Sequence, residues 1–187
     1  MQLKDKNILF LGSSITYGAQ SGGVSFADIM CEQRQANMIK VAVSGTTLAD
    51  INEYSYVSRL KKVDVNKKID LFVCQLSAND ATKNATIEQT EDAIRFIIEH
   101  VKENFKCPIV FYTVVYFEND HYPKMIDLLY RLQKEYGFKI LDLYNDKDMR
   151  AVSKEDFKKY MADCLHPNLT GYREWWTPKF IEFCENL

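Results

Sequence analysis

The sequence predicts an open, doubly wound α/β fold built on about five parallel strands. Three observations point that way. Short apolar or β-branched runs of strand length recur along the chain. Most are apolar throughout rather than alternating, the pattern of strands covered on both faces. The segments between them reach about a dozen residues or more, enough for right-handed crossover helices.

In chain order, the first strand is Asn7 to Leu11, followed by a helix beginning near Val24 or Ser25 and ending before Asn37. The second strand is Ile39 to Val43 and the third Ile69 to Gln75. Between them, the lysine-rich stretch Arg59 to Lys68 reads as a solvated connection. Thr86-Ile87-Glu88-Gln89 is a capping box that opens a helix to about Phe105, with Ile87, Ala93 or Ile94, Ile97, Ile98 and Val101 as its apolar stripe. The fourth strand is Pro108 to Val114. A helix from Pro123 to about Tyr136 stops at Gly137, and Lys139 to Leu143 is the fifth strand. Asn168 caps a helix running through Trp176. Thr177-Pro178 then restarts helix, with threonine as N-cap and proline as the first helical residue.

The chain has 187 residues, the length of one domain, with 47% hydrophobic and 27% charged residues. Such a composition supports a full core and argues against disorder. A formal net charge of -2 supplies no cationic excess for a nucleic-acid backbone or an anionic membrane. The apolar run Ile8 to Leu11 is too short for a secretion-signal core, and no stretch reaches membrane-spanning length. Five scattered cysteines (Cys31, Cys74, Cys107, Cys164 and Cys184) lack any C-x-x-C spacing, so neither a disulfide framework nor a zinc site is expected. They read as small buried or half-buried residues in a reducing cytoplasm.

In such a fold ligands bind beyond the carboxyl ends of the strands, which directs attention to the loops there. The first is Gly12-Ser13-Ser14-Ile15-Thr16, the second Ser44-Gly45-Thr46-Thr47, the third Leu76-Ser77-Ala78-Asn79-Asp80. Ser14 offers a nucleophilic hydroxyl and a backbone N–H at a helix start. Gly45 adds an unobstructed N–H and Asn79 a neutral amide, and three donors of this kind suit an oxyanion. Near the C-terminus, His166 in Asp163-Cys164-Leu165-His166-Pro167 is a candidate general base for Ser14. Asp163, three residues earlier, is the favoured orienting carboxylate, with Asp142 after the fifth strand as its competitor. His100 and His121 fall on or beside helices and read as surface residues. After the fourth strand, Tyr116 and Phe117 head a loop of aromatic and polar residues suited to a sugar or small-acyl pocket.

The order Ser14, Gly45, Asn79, His166 resembles the SGNH hydrolase superfamily, also called GDSL esterases and lipases. Its motif blocks are matched by Gly12-Ser13-Ser14-Ile15-Thr16-Tyr17-Gly18, Val43-Ser44-Gly45, Ser77-Ala78-Asn79-Asp80 and Asp163-Cys164-Leu165-His166-Pro167. The resemblance implies a flavodoxin-like three-layer α/β/α fold and a catalytic triad of Ser14, His166 and Asp163. It also implies an oxyanion hole from Ser14, Gly45 and Asn79, and no need of a metal or cofactor. Ser13 stands where the family has aspartate, and Ser77 where it has glycine; neither change deletes a catalytic group. The absence of a long apolar lid points to a small, soluble ester rather than a long-chain lipid, and an acetylated carbohydrate or related metabolite is favoured. A lysophospholipase or thioesterase of the same fold is the alternative within the class. From other classes come an FMN-binding electron carrier and a non-catalytic binding protein. The first leaves Asn79 and Asp163-x-x-His166 unexplained, and the complete set of catalytic residue types argues against the second.

Overall fold

A five-stranded, all-parallel sheet carries the chain in the computed structural model, which describes residues 1–187 apart from residue 84. Strand β1 (Asn7–Gly12) leads into a single helical turn, α1 (Ser14–Tyr17), then α2 (Phe26–Arg34) and β2 (Asn37–Ala42). Next come α3 (Tyr56–Leu60), β3 (Leu71–Gln75), α4 (Ala78–Thr82), the long α5 (Ile87–Asn104) and β4 (Ile109–Tyr112). They are followed by α6 (Tyr122–Tyr136), β5 (Lys139–Leu141), α7 (Lys147–Arg150) and α8 (Lys154–Tyr160). A helical run closes the chain: α9 (Leu169–Gly171), a π turn (Tyr172–Trp176) and α10 (Thr177–Glu185).

The strand order is β2-β1-β3-β4-β5. From β1 the chain winds outward to β2, then returns to the other side of β1 as β3. The loops leaving β1 and β3 diverge to opposite faces, which opens a crevice at their carboxyl ends. Helices α2 and α10 pack together over one face of the sheet, and α3, α5 and α6 over the other. The result is the expected three-layer α/β/α sandwich.

Burial explains which strands were easiest to read. All residues of β3 and β4 are buried and so are five of the six in β1, whereas β2 lies at the edge and is exposed or half-exposed along its whole length. That edge strand also begins earlier than expected, at Asn37, pairing Asn7 to Asn37 through Gly12 to Ala42. On the α2/α10 face, Phe26 stacks on Phe180 with ring centroids 3.7 Å apart and meets Tyr112 edge-on at 5.2 Å. Each such buried ring contributes about 1.5–3 kcal/mol.

The expected capping box of Thr86 with Gln89 forms at α5, and a second, of Ser25 with Asp28, opens α2. The C-terminal segment departs from expectation. Thr177 is helical (φ -55°, ψ -42°) rather than a cap, and its N–H reaches Tyr172 O in a five-residue π turn. Pro178 lacks an N–H and would clash with the carbonyl four residues back in a regular helix. Widening the preceding turn accommodates it without a break, as π bulges do elsewhere.

The stretch expected to be a solvated connection hides one buried cation, Arg59, at 8% exposure. His100 is half-buried on α5, its Nε2 without a partner among the described residues, while His121 sits at the start of α6 with Nε2 on Ala85 O. Cys31, Cys74 and Cys184 are buried and Cys107 is half-buried, but Cys164 is exposed. Among the described residues no helix is long and apolar enough to cross a membrane.

Candidate active site

Three loops at the carboxyl ends of β1, β2 and β3 and one turn near the C-terminus meet at the crevice. The first begins at Gly12, where a Cβ would fall 1.7 Å from Thr16 Oγ1. Only glycine lets the Thr16 hydroxyl fold back over the turn, donating to Gln75 Oε1 at 2.9 Å beside Tyr112 OH at 2.6 Å. The same Gln75 oxygen accepts from the Ser13 N–H at 3.0 Å and the Ser13 hydroxyl at 3.3 Å. Ser13 therefore spends both its donors on the buried end of β3, which fixes the turn that presents Ser14. Burial pushes the Tyr112 phenol well above its ordinary pKa, the Thr16 hydroxyl opposing the rise. This network is neutral throughout.

Ser14 is the first residue of α1, and its Oγ lies 2.8 Å from His166 Nε2, across 152 positions of sequence. On the other side of the ring, His166 Nδ1 is 2.8 Å and 3.1 Å from the two oxygens of Asp163. With a carboxylate at Nδ1, that nitrogen carries the proton and Nε2 accepts from the Ser14 hydroxyl. The backbone N–H groups of Leu165 (2.8 Å) and His166 (2.7 Å) also donate to Asp163 Oδ1. Burial raises the Asp163 pKa, but these two N–H groups and the His166 ring outweigh it, leaving the carboxyl below its usual range. An antiparallel bridge between Met161 and Pro167, with Ala162 N–H on His166 O, closes the turn that holds the pair.

Asp142 is engaged elsewhere. It accepts from the Thr113 hydroxyl at 2.9 Å, Tyr130 OH at 2.8 Å and Asn145 Nδ2 at 2.8 Å, shaping the loop after β5.

The second loop turns tightly from Val43 to Thr46, with both the N–H and the hydroxyl of Thr46 on Val43 O. Gly45 sits in this turn at φ +76°, where a Cβ would meet nothing within 4 Å. Backbone conformation, not space, requires glycine there. In the third loop, Asn79 Nδ2 donates to Thr46 O at 2.9 Å, and the Ser77 hydroxyl reaches the same oxygen at 3.5 Å. Asp80, fully buried, accepts from Leu48 N–H (2.8 Å) and Ala49 N–H (2.7 Å), riveting the second loop to α4. Burial raises the Asp80 pKa, the Ala49 N–H, the Ser77 hydroxyl and the Leu48 N–H offsetting only part.

The N–H of Ser13 goes to Gln75 and that of Thr46 to Val43, but among the described residues the N–H of Ser14 and of Gly45 find no acceptor. Asn79 uses one of its two amide hydrogens on Thr46 and keeps the other.

Arg59 escaped the sequence reading and underlies two of the loops. Its Nη2 donates to Gly12 O (2.9 Å) and Thr46 Oγ1 (3.0 Å), its Nη1 to Val41 O (2.5 Å) and its Nε to Tyr54 O (3.0 Å). One guanidinium thus joins the ends of β1 and β2 to the Gly45 loop. Beneath, Tyr56 is fully buried with its ring 5.0 Å from the Arg59 guanidinium. Tyr116 and Phe117 part company: Tyr116 is 46% exposed, whereas Phe117 packs its ring on Tyr122 at 5.1 Å and is buried.

Residues 10–174 match the model of the GDSL-like lipase/acylhydrolase family. The chain belongs to this family. As a GDSL-like hydrolase it acts on ester bonds, and its fold recurs in solved structures. A member of the lipolytic G-D-S-L family from Veillonella parvula is 16% identical, with a TM-score of 0.78 over 97% of this chain and 100% of that one. The SGNH-hydrolase esterase AlinE4 is 19% identical (TM-score 0.67, 98% and 97% covered). A family two carbohydrate esterase from Clostridium thermocellum, solved with cellohexaose, is 16% identical (TM-score 0.76), covering 98% of this hydrolase and 64% of that chain. At these identities the likeness is one of fold. No curated protein sequence matches.

Proposed function

We propose that this GDSL-like hydrolase cleaves a small carboxylic ester through an acyl-enzyme on Ser14. The observation that carries the reading is the unbroken chain of hydrogen bonds from Asp163 through His166 to Ser14. Ser14 Oγ attacks the ester carbonyl while His166 Nε2 takes its proton, and Asp163 stabilises the imidazolium at Nδ1. The carbonyl oxygen, now an oxyanion, is met by the Ser14 N–H, the Gly45 N–H and the spare Asn79 amide hydrogen. Each donor of this type lowers the barrier by about 2.7–4 kcal/mol. Collapse expels the alcohol, which receives the proton from His166. Water, deprotonated by the same nitrogen, then releases the acid and restores Ser14.

The alcohol is best read as a carbohydrate or related metabolite. A structurally similar protein is a carbohydrate esterase, and Tyr116, on the segment that follows β4 at the carboxyl-end rim, is exposed. Five free thiols suit a reducing cytoplasm. Hydrolysis of 4-nitrophenyl acetate tests the assignment: Ser14→Ala should abolish turnover and keep the fold by circular dichroism. Undiminished hydrolysis by that variant would overturn it. A series of acetylated sugars and 4-nitrophenyl esters of rising chain length then separates a deacetylase from a long-chain acyl hydrolase.

A further inference from the structure

A cavity of about 430 Å³, within the size range of small-molecule pockets, lies between the segment that follows β4 and helices α7 and α8. Its place follows from the chain. Val115, on one wall, lies on the segment that leaves β4, and in this all-parallel sheet the carboxyl end of β4 opens on the same rim as that of β1. Another wall is α8, which runs directly into Met161 and the Asp163–His166 turn.

The lining is unusual in charge. Arg150, Lys154 and Lys158, all exposed, line this cavity and among the described residues no Asp or Glu does, in a protein whose net charge is -2. Among the described residues none of the three cations has a carboxylate within 4 Å. Three acids close by in sequence are engaged elsewhere: Asp146 and Asp148 hold Lys179, and Asp156 accepts from the Ser153 hydroxyl. Arg150 is also held in place, its guanidinium 4.2 Å from the Tyr116 ring centroid. Trp175 lines the cavity too, stacked on Tyr160 at 5.5 Å. Cations left unpaired beside two aromatic rings form a recognition surface, since a planar guanidinium fork matches a carboxylate or phosphate.

We propose that this cavity binds the anionic group of the ester substrate, a carboxylate or phosphate borne on a ring that lies against Tyr116 and Trp175. That the anion belongs to the substrate rests on the ester-hydrolase reading; that the cavity binds an anion does not. Calorimetric titration of the Ser14→Ala protein with glucose 6-phosphate, glucuronate and glucose tests it without turnover. At least one anion should bind more tightly than glucose, and the tighter of the two identifies the charged group. Arg150→Gln should weaken that binding about tenfold or more, as loss of a charge-assisted partner does. Lys154→Gln/Lys158→Gln should weaken it as well, and the remote Lys62→Gln should not. Both anions binding no better than glucose, or affinity unchanged in Arg150→Gln and in the double variant, would overturn the proposal. Failure to hydrolyse any ester would instead remove the hydrolase reading and leave the titration result standing.

Discussion

Replacing Arg59 by methionine should cost both stability and catalysis, because a single guanidinium supports the two loops that carry Ser14 and Gly45. The substitution deletes four hydrogen bonds, to Gly12 O, Val41 O, Thr46 Oγ1 and Tyr54 O. At a net of about 1 kcal/mol each, lessened by the apolar burial that methionine regains, the loss is about 2–4 kcal/mol. With a urea slope of about 2 kcal/mol/M, the unfolding midpoint should fall by about 1–2 M. The catalytic effect is separable. Gly12 O immediately precedes the Ser13–Ser14 turn, and Thr46 carries the carbonyl to which Asn79 is tied. Loosening both misplaces the donors proposed for the oxyanion, so kcat should fall about 10- to 100-fold, short of the 10²–10³ for outright loss of one donor. KM should hardly move, since Arg59 lies beneath the loops rather than in the crevice. Arg59→Lys should recover part of the stability and little of kcat, because one ammonium cannot span acceptors at both ends of the fork. An unchanged midpoint in Arg59→Met, or a KM rise with kcat intact, would refute this reasoning.

The assignment of the orienting carboxylate predicts that Asp163→Asn lowers kcat by about 10⁴-fold, the cost of the wrong histidine tautomer in a serine triad. Asp142→Asn should stay within about tenfold of the parent, since Asp142 serves Thr113, Tyr130 and Asn145; the reverse ranking, read from 4-nitrophenyl acetate kinetics, would move the role. Acid should also discriminate. The folded pKa of Asp163 lies below its unfolded value of 3.8, so its stabilising contribution is present above that pH and disappears as pH falls through the folded value. Asp80 has the opposite sign: its pKa is raised, so its contribution is full below pH 3.8 and is lost as pH rises through the folded value. Urea midpoints between about pH 3 and 7 should therefore show less acid loss in Asp163→Asn than in the parent, and less loss on the neutral side in Asp80→Asn.

Legibility in the sequence tracked what surrounds each residue. Strands β1, β3 and β4 are sheathed by helices on both faces, so their environment is uniform and their residues are uniformly apolar. Strand β2 meets solvent along its edge, and its start at Asn37 left no apolar mark. The Thr86–Gln89 capping box was readable because its partners lie three residues apart. Asp163 and His166 share that advantage, whereas the Ser14 to His166 contact spans 152 positions and was inferred from the convergence of loops at one rim and from the family resemblance of the motif blocks. What escaped was polar and buried. Arg59 looked like the first charge of a lysine-rich stretch, yet Tyr56, Val57 and Leu60 surround it in a single helical turn, and all three are buried. An arginine among such neighbours is a cue that its charge is turned inward. Gln75 gave less warning still, because at a strand end an amide is as ordinary outside as inside. Its single oxygen nonetheless anchors Ser13 and Thr16, on either side of Ser14. This also accounts for Ser13 in place of the family aspartate. A carboxylate there would face an amide oxygen already crowded with donors, in a pocket of neutral hydroxyls to which, among the described residues, no cation donates. A serine, able to donate, fits the acceptor that β3 presents. The departure at the motif and the glutamine beneath it are therefore one feature, read from two ends of the same hydrogen bond.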